Sequence, residues 1–439
     1  MEETMARLRC AELDGGLAAH HDWRGVGGPE PLRCAEVGCG GEAIEGSTCP
    51  RCGGLLEFPA PHGIGRDALL QILRDRRAGS APIDRSGVWR YRELLPNIDE
   101  RRIVSLDENE IPLQEAPRSA SWAGLDRLGV YHCGRNPSGS FKDAGMTVAV
   151  SFAAARGSRA VLCASTGNTS AAMAAYAARA SMGAFVLAPA GGVSQAKIAQ
   201  TLAYGGRVLT IDGDFDDALR LAREVGAASR EVALVNSVDP YRIEGQKCVA
   251  FAILEQRGWR APDWVVLPGG NLGNVSALGK GFREALALGL ADRLPRLCVV
   301  QAAGAAPFAR AWERGGDLEP VKADTVASAI RIGNPVSWRK ARRELQACGG
   351  LALAVSDEEL LEARRTIGRD GLGCEPASAT SLAGARQLRL RGIMREDEDV
   401  ICILTGHVLK DSSVVESITP EPVACSASAV LDAMLKEKK

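Results

Sequence analysis

The chain has 439 residues with 53 Lys+Arg against 54 Asp+Glu, a formal net charge of -1, so no basic excess points to nucleic acid as a main partner. Hydrophobic residues make up 46% and charged residues 24%, the balance of a soluble globular protein, and the length exceeds one ordinary core, which predicts two or three domains. No apolar run is long enough to span a membrane and Met1 to Cys10 lacks the apolar centre of a signal peptide, so the expectation is a cytoplasmic chain with no membrane partner.

The first signal in chain order lies in Leu32 to Phe58, where Cys34, Cys39, Cys49 and Cys52 form the pattern C-x4-C-x9-C-P-x-C-G-G. Two thiolate knuckles of this kind read as a zinc ribbon, and four protein ligands would leave the metal structural, with no open position for substrate. A ribbon that has lost its metal fits the same residues, because the first knuckle is wide and the stretch between knuckles short. Cys10, His20 and His21 have no metal spacing. Cys163, Cys298 and Cys402 sit in apolar runs and read as buried thiols, and nothing requires disulfides. An arginine-rich helix, Arg66 to Arg77, and the loop Gly79 to Gly87 lead out, so residues 1–86 form the ribbon-like segment and its linker.

Next comes N-P-S-G-S-F-K-D, Asn136 to Asp143, which leaves a hydrophilic turn and runs into the Ala-rich segment Ala144 to Ala155. Lys142 therefore stands at the mouth of a helix. A lysine beside a helix N-terminus and apolar neighbours has a lowered pKa and can form a Schiff base with an aldehyde cofactor. Taken alone, it fits a solvated helix end as well. Beyond it, strands near Arg159–Cys163, Ala184–Ala188, Arg207–Ile211 and Val232–Val235 alternate with helical segments, which predicts a parallel sheet covered on both faces and a smaller α/β domain over 158–240. Strands near Trp264–Leu267, Leu297–Gln301, Leu351–Val355 and Val400–Leu404, together with Val88 to Tyr131, predict a larger domain in two parts, 87–157 and 241–439. Glu416 to Lys439 reads as a loosely attached tail.

Three of these strands end in turns suited to ligands, the place where open α/β sheets bind them. C-A-S-T-G-N-T-S, Cys163 to Ser170, offers backbone N–H groups and hydroxyls to an anion. L-P-G-G-N-L-G-N, Leu267 to Asn274, lets glycine backbone close on a phosphate at a helix start. I-L-T-G-H-V-L-K-D, Ile403 to Asp411, ends its strand in a hydroxyl.

With these four motifs in this order, the chain resembles the pyridoxal-phosphate enzymes of fold type II and, within them, the threonine synthase family. That family carries patterns close to N-P-T-G-S-F-K-D, S-T-G-N-T, P-G-G-N-x-G-N and T-G-x-G-L-K-D. The likeness continues through Ser194 to Val208, Asn236 to Lys247, Ala327 to Pro335 and Glu375 to Ala379, and covers about Val104 to Ser412. It implies an α/β enzyme of two parallel-sheet domains with pyridoxal 5'-phosphate in the cleft, preceded by the ribbon with its structural zinc. Lys142 would hold the cofactor and shuttle protons; Asn168 would meet the phenolic oxygen. Gly269, Gly270, Asn271, Gly273 and Asn274 would cradle the cofactor phosphate. Thr405 would face the pyridine nitrogen, where a neutral hydroxyl does not keep that nitrogen protonated as a carboxylate would. Thr166, Gly167 and Thr169 would hold the substrate carboxylate.

The implied reaction is conversion of O-phospho-L-homoserine and water to L-threonine and phosphate, a carbon–oxygen lyase step, with homodimers usual in the family. Asn236, Ser237 and Arg242 match positions that grip the substrate phosphate, a task that suits a planar permanent cation. Arg242 also has Asp239 and Glu244 in reach as surface partners. Two residues depart from the common pattern, Ala144 where many members have arginine and Val408 where many have glycine. They leave open a paralogue that carries out β- or γ-replacement on another phosphorylated amino acid.

Overall fold

A computed structural model describes residues 31–190 and 195–411. Cys10, His20, His21, Ser194 and the tail Glu416 to Lys439 lie outside the described residues. The chain opens with three short strands, β1 (Leu32–Cys34), β2 (Glu42–Ala43) and β3 (Leu56–Glu57), which form an antiparallel sheet in the order β2-β1-β3. Helix α1 (Arg66–Ala78) follows and buries Leu69 and Leu73, four residues apart and so on one face. It corresponds to the arginine-rich helix expected over Arg66 to Arg77.

The alternating part begins with β4 (Leu113–Glu115), α2 (Pro117–Ala123), β5 (Leu128–His132) and α3 (Lys142–Ala155). A second run follows: β6 (Ala160–Cys163), α4 (Asn168–Arg179), β7 (Gly183–Pro189), α5 (Gln195–Ala203), β8 (Arg207–Ile211), α6 (Phe215–Ala228) and β9 (Val232–Leu234). The chain continues through α7 (Pro240–Gln256), β10 (Trp264–Pro268), α8 (Gly273–Ala287), β11 (Arg296–Ala302), α9 (Pro307–Arg314) and α10 (Trp338–Ala347). It ends in β12 (Leu351–Val355), α11 (Asp357–Arg369), α12 (Pro376–Leu390) and β13 (Val400–Leu404).

The second run of strands builds a four-stranded sheet, β8-β7-β6-β9, parallel throughout. The others build a six-stranded sheet, β12-β11-β10-β13-β5-β4, parallel except for the edge strand β4, which pairs antiparallel with β5. Strands β10 and β13 are buried at every position, as expected of continuous apolar runs covered on both faces. In the small sheet β6 lies between β7 and β9, and in the large one β10 lies between β11 and β13. The connections therefore diverge at the C-terminal ends of these strands, the place where open α/β sheets bind ligands.

Helix α3 is shared by both halves. Its Ala144, Val148 and Phe152 join the large apolar core, while Met146, Ala149, Val150 and Ala153 join the core under the small sheet. It crosses α7 at very short range: a Cβ on Gly245 would lie 1.8 Å from the Ala144 carbonyl oxygen, and one on Gly145 would lie 2.8 Å from that of Arg242. Only glycine permits this approach.

Between α7 and α8 lies a fully buried group of four charges. Lys247 Nζ is 2.5 Å from Glu244 and 2.8 Å from Glu284, and Lys280 pairs with Glu244 and donates to the Phe58 carbonyl at 2.8 Å. Lys280 thus ties the end of the ribbon to α7 and α8. Lys280→Ala would strand buried carboxylates with one cation and is expected to lower stability by about 3–5 kcal/mol, read as a fall in the denaturant midpoint. No helix among the described residues is long and apolar enough to cross a membrane.

Candidate active site

The loop before α3 is held from both sides. The Asn136 carboxamide accepts from Asn109 N at 2.7 Å and donates to the Ser140 carbonyl at 3.0 Å. Phe141 N donates to the Thr405 carbonyl and His407 N to the Gly139 carbonyl, both at 2.9 Å, so the Lys142 loop is zipped to the loop after β13. Lys142 is the first residue of α3, half-buried, with Nζ 4.1 Å from the centre of the Phe141 ring. Burial lowers its pKa to about 7, the Arg242 cation adds to the fall, and Glu375 opposes it. At that value about half of the amine is unprotonated, and so nucleophilic, at neutral pH. Its neighbour Asp143 is buried against Ser138, whose hydroxyl donates at 2.7 Å.

The loop after β6 turns into α4 at Gly167, which is exposed and has open space where a side chain would stand. Thr166, Asn168 and Thr169 are half-buried around this open helix N-terminus. Asn168 Nδ2 donates to Glu375 Oε2 at 2.9 Å. Behind the loop, Asn236 accepts from Ala164 N at 3.1 Å.

The loop after β10 packs so closely that a Cβ on Gly269 would sit 2.8 Å from Val299, and Leu272 takes a left-handed conformation with φ 64° to enter α8. Asn271 donates to Ser237 Oγ at 3.4 Å and its carbonyl accepts from Ser337 N at 3.2 Å. Gly273 and Asn274 open α8, and the buried carboxamide of Asn274 has no hydrogen-bond partner at either atom. Arg242, in the first turn of α7, is 1% exposed; its Nη1 donates to the Val235 carbonyl at 3.3 Å and its Nε has no partner. Arg242 is buried and not at the surface: Glu244 is taken by Lys247 and Lys280, while Asp239, also buried, caps α7 by accepting from Tyr241 N and acts on Arg242 through its charge.

The loop after β13 brings in two residues that the motifs did not single out. Thr405 Oγ1 donates to Glu375 Oε1 at 3.2 Å, and Ser378 Oγ lies 3.1 Å from Thr405 Oγ1 while accepting from the backbone of Thr405 at 2.8 Å and Gly406 at 3.0 Å. A Cβ on Gly406 would fall 2.4 Å from the Glu375 carboxyl carbon, so the glycine makes room for the acid. Burial raises the Glu375 pKa. The signal was present as E-P-A-S-A: an acid immediately before a proline-started apolar helix is well placed to be buried with its charge unscreened.

The expected residues therefore fall into two groups. Lys142, Asn168 and Thr405 gather about Glu375, and Asn236, Ser237, Asn271, Asn274 and Arg242 gather at the starts of α7 and α8. The field of Arg242 on Lys142 links the two. Together they offer a nucleophilic amine, two helix N-termini and unpartnered buried polar atoms, the complement of a ligand that bears an aldehyde and a phosphate. Of the departures from the family pattern, Ala144 is fully buried where α3 crosses α7, and Val408 packs within 3.1 Å of the position a Cβ on Gly373 would take.

In the ribbon, the four Sγ atoms of Cys34, Cys39, Cys49 and Cys52 lie within 4.8 Å of one another. Cys34 and Cys52 are 3.4 Å apart and Cys39 and Cys49 3.8 Å, against about 3.8 Å between sulfurs of a tetrahedral site with zinc–sulfur bonds of about 2.3 Å. Backbone N–H groups of Glu36, Arg51 and Gly54 each donate to a thiol sulfur at 3.4 Å. The wide first knuckle closes because Gly38 and Gly40 take left-handed conformations, φ 78° and 61°.

Comparison with known proteins follows the same lines. The family model for pyridoxal-phosphate dependent enzymes matches residues 104–406. The threonine synthase of Methanosarcina acetivorans is 43% identical over 416 residues, covering 93% of this chain and 99% of its own. That of Methanocaldococcus jannaschii is 44% identical over 395 residues, covering 89% and 95%. Among solved structures, threonine synthase from Escherichia coli superposes with a TM-score of 0.60 over 86% of this chain and 87% of its own, at 22% identity, a likeness of fold. The chain belongs to the threonine synthase family of pyridoxal-phosphate dependent enzymes.

Proposed function

We propose that this protein converts O-phospho-L-homoserine and water into L-threonine and phosphate with pyridoxal phosphate as cofactor. The observation that carries the reading is Arg242, a buried cation with an unpartnered Nε in the first turn of α7, together with the unpartnered carboxamide of Asn274 at the start of α8 and the Lys142 amine, whose pKa is lowered to about 7. The buried Asp239 offsets part of its charge, and the planar fork keeps an open donor that fits a phosphate oxygen.

When bound, the cofactor supplies an electron sink for the charge left as a C–H bond beside the substrate amine breaks. Gly269, Gly270, Asn271, Gly273 and Asn274 would cradle its phosphate at the start of α8, with Asn168 at the phenolic oxygen and Thr405 at the pyridine nitrogen. Thr166, Gly167 and Thr169 would hold the substrate carboxylate at the open end of α4. Lys142 Nζ would take the α proton and move protons among Cα, Cβ and Cγ, a task matched by a base with a pKa near the working pH. Arg242, Asn236 and Ser237 would hold the γ phosphate and stabilise charge on the departing oxygen. The phosphate kept there would accept a proton from the water that adds at Cβ. Purified protein supplied with the cofactor and O-phosphohomoserine should yield threonine and phosphate in equal amounts by amino-acid and phosphate analysis. Turnover of phosphoserine with sulfite in its place would instead identify a replacement enzyme.

The same reading includes a structural zinc on Cys34, Cys39, Cys49 and Cys52, supported by the approach of their four sulfurs to within 4.8 Å of one another. Metal analysis should find one zinc per chain, and Cys49→Ser should lose it and unfold the ribbon, since such ions supply roughly 10 kcal/mol of folding free energy to small zinc domains. A cytoplasmic homodimer completes the reading; all the cysteines among the described residues are free thiols, which suits a reducing compartment.

A further inference from the structure

Four side chains from three separate segments form one hydrogen-bonded line through the candidate site: Ser378, Thr405, Glu375 and Asn168. Ser378 Oγ already accepts two backbone N–H groups, so its proton is directed at Thr405 Oγ1, 3.1 Å away, or at the Gly406 carbonyl, 3.5 Å away. Asn168 can only donate from Nδ2, which makes Glu375 Oε2 an acceptor and leaves Oε1 to face Thr405. Thr405 has a single proton to give.

We propose that Glu375 is a positioning residue that sets the direction of the Thr405 hydroxyl, and so whether the group facing the pyridine nitrogen donates a hydrogen bond or accepts one. An ionised Glu375 only accepts; the Thr405 proton then points to Oε1 and a lone pair is turned to the ring nitrogen. A neutral Glu375 donates to Thr405, whose proton is then free for the nitrogen. The inference rests on the reading of Thr405 as the residue at that nitrogen. It alters the expectation drawn from the hydroxyl alone, because a threonine held as an acceptor favours a protonated ring.

The groups that face the acid are Lys142 from α3, Lys410 and Asp411 from the chain after β13, and the adjacent Cys374. Burial favours the neutral acid, and the hydrogen bonds from Asn168 and Thr405, then Lys410, oppose it. The consequence falls on the ring's own titration: the nitrogen loses its proton as pH rises, but an ionised Glu375, by drawing the Thr405 proton to itself and turning a lone pair to the ring, holds that nitrogen proton to higher pH.

Nitrogen NMR of holoenzyme reconstituted with isotopically labelled pyridoxal phosphate tests this, with Glu375→Gln and Thr405→Val beside the wild type. In Glu375→Gln the amide oxygen faces Asn168 and its N–H faces Thr405, which imitates the neutral acid. The wild-type resonance is expected to leave the protonated-ring position at higher pH than the Glu375→Gln resonance, by a pH unit or more. If Glu375→Gln and wild type respond alike while Thr405→Val is displaced from both, the role given to Glu375 is overturned and the placement of Thr405 stands. If Thr405→Val also matches the wild type, the placement of Thr405 falls with it.

Discussion

Lys142→Ala is expected to lose the visible absorbance of bound cofactor and turnover together, with kcat falling by at least ~10⁴-fold, the upper end of what a positioned proton-transfer group contributes. The substitution removes both the covalent anchor and the base that serves three carbons in turn. The environment of the amine makes a second, quantitative expectation. Burial first, and Arg242 next, bring its pKa to about 7, so it is protonated and unreactive below that value and free above it. The rate of cofactor uptake by apoprotein, followed by absorbance, should therefore rise through pH 7 instead of through the ordinary lysine range. In Arg242→Ala, with the like charge removed, the same transition should move to higher pH. Turnover retained in Lys142→Ala would remove the basis of the proposed chemistry.

Arg242→Ala is expected to leave the absorbance of bound cofactor in place and to reduce kcat/KM for O-phosphohomoserine by about 30-fold to several thousand-fold, the equivalent of roughly 2–5 kcal/mol for a truncated buried charge contact. Inhibition by inorganic phosphate should weaken in parallel, because the same fork would hold the product. Arg242→Lys should recover part of the loss, since an ammonium restores charge without the planar pair of donors. A mutant that lost cofactor and substrate affinity equally would show that Arg242 supports the fold of α7 and not the substrate phosphate. Circular dichroism and the unfolding midpoint measured on the same protein separate these outcomes.

Much of this site was legible before any coordinates. The four loop motifs, the helix that opens at Lys142 and the strands of both sheets are read from short-range features: apolar runs, glycine at strand ends, and the change from strand to helix within a few residues. The helix expected over Arg66 to Arg77 is found over Arg66–Ala78, and the strand expected over Val400 to Leu404 has those same ends. Glu375 and Ser378 were legible only as part of a likeness. Their use depends on contact with Asn168, 207 positions away, and with Thr405. Glu244, Lys247, Lys280 and Glu284 have the i, i+3 and i, i+4 spacing of charges on a solvated helix face, yet all four are buried. For Arg242 the neighbouring sequence offered Asp239 and Glu244 as partners, and the choice between a surface pair and an anion grip could not be made from it.

By itself the sequence determined the local chemistry: an amine at a helix start, glycine turns that can close on phosphate, four thiols able to meet, and two sets of strands fit for parallel sheets. Only the tertiary structure decided which charges are withdrawn from water and what each then faces. The reason is that conformation within a loop is governed by its own few residues, whereas burial and electrostatic partnership belong to the packing of segments far apart in the chain. Lys142, Arg242 and Glu375 come from three such segments, and the amine of Lys142 owes its lowered pKa to burial and to Arg242, against the opposing charge of Glu375.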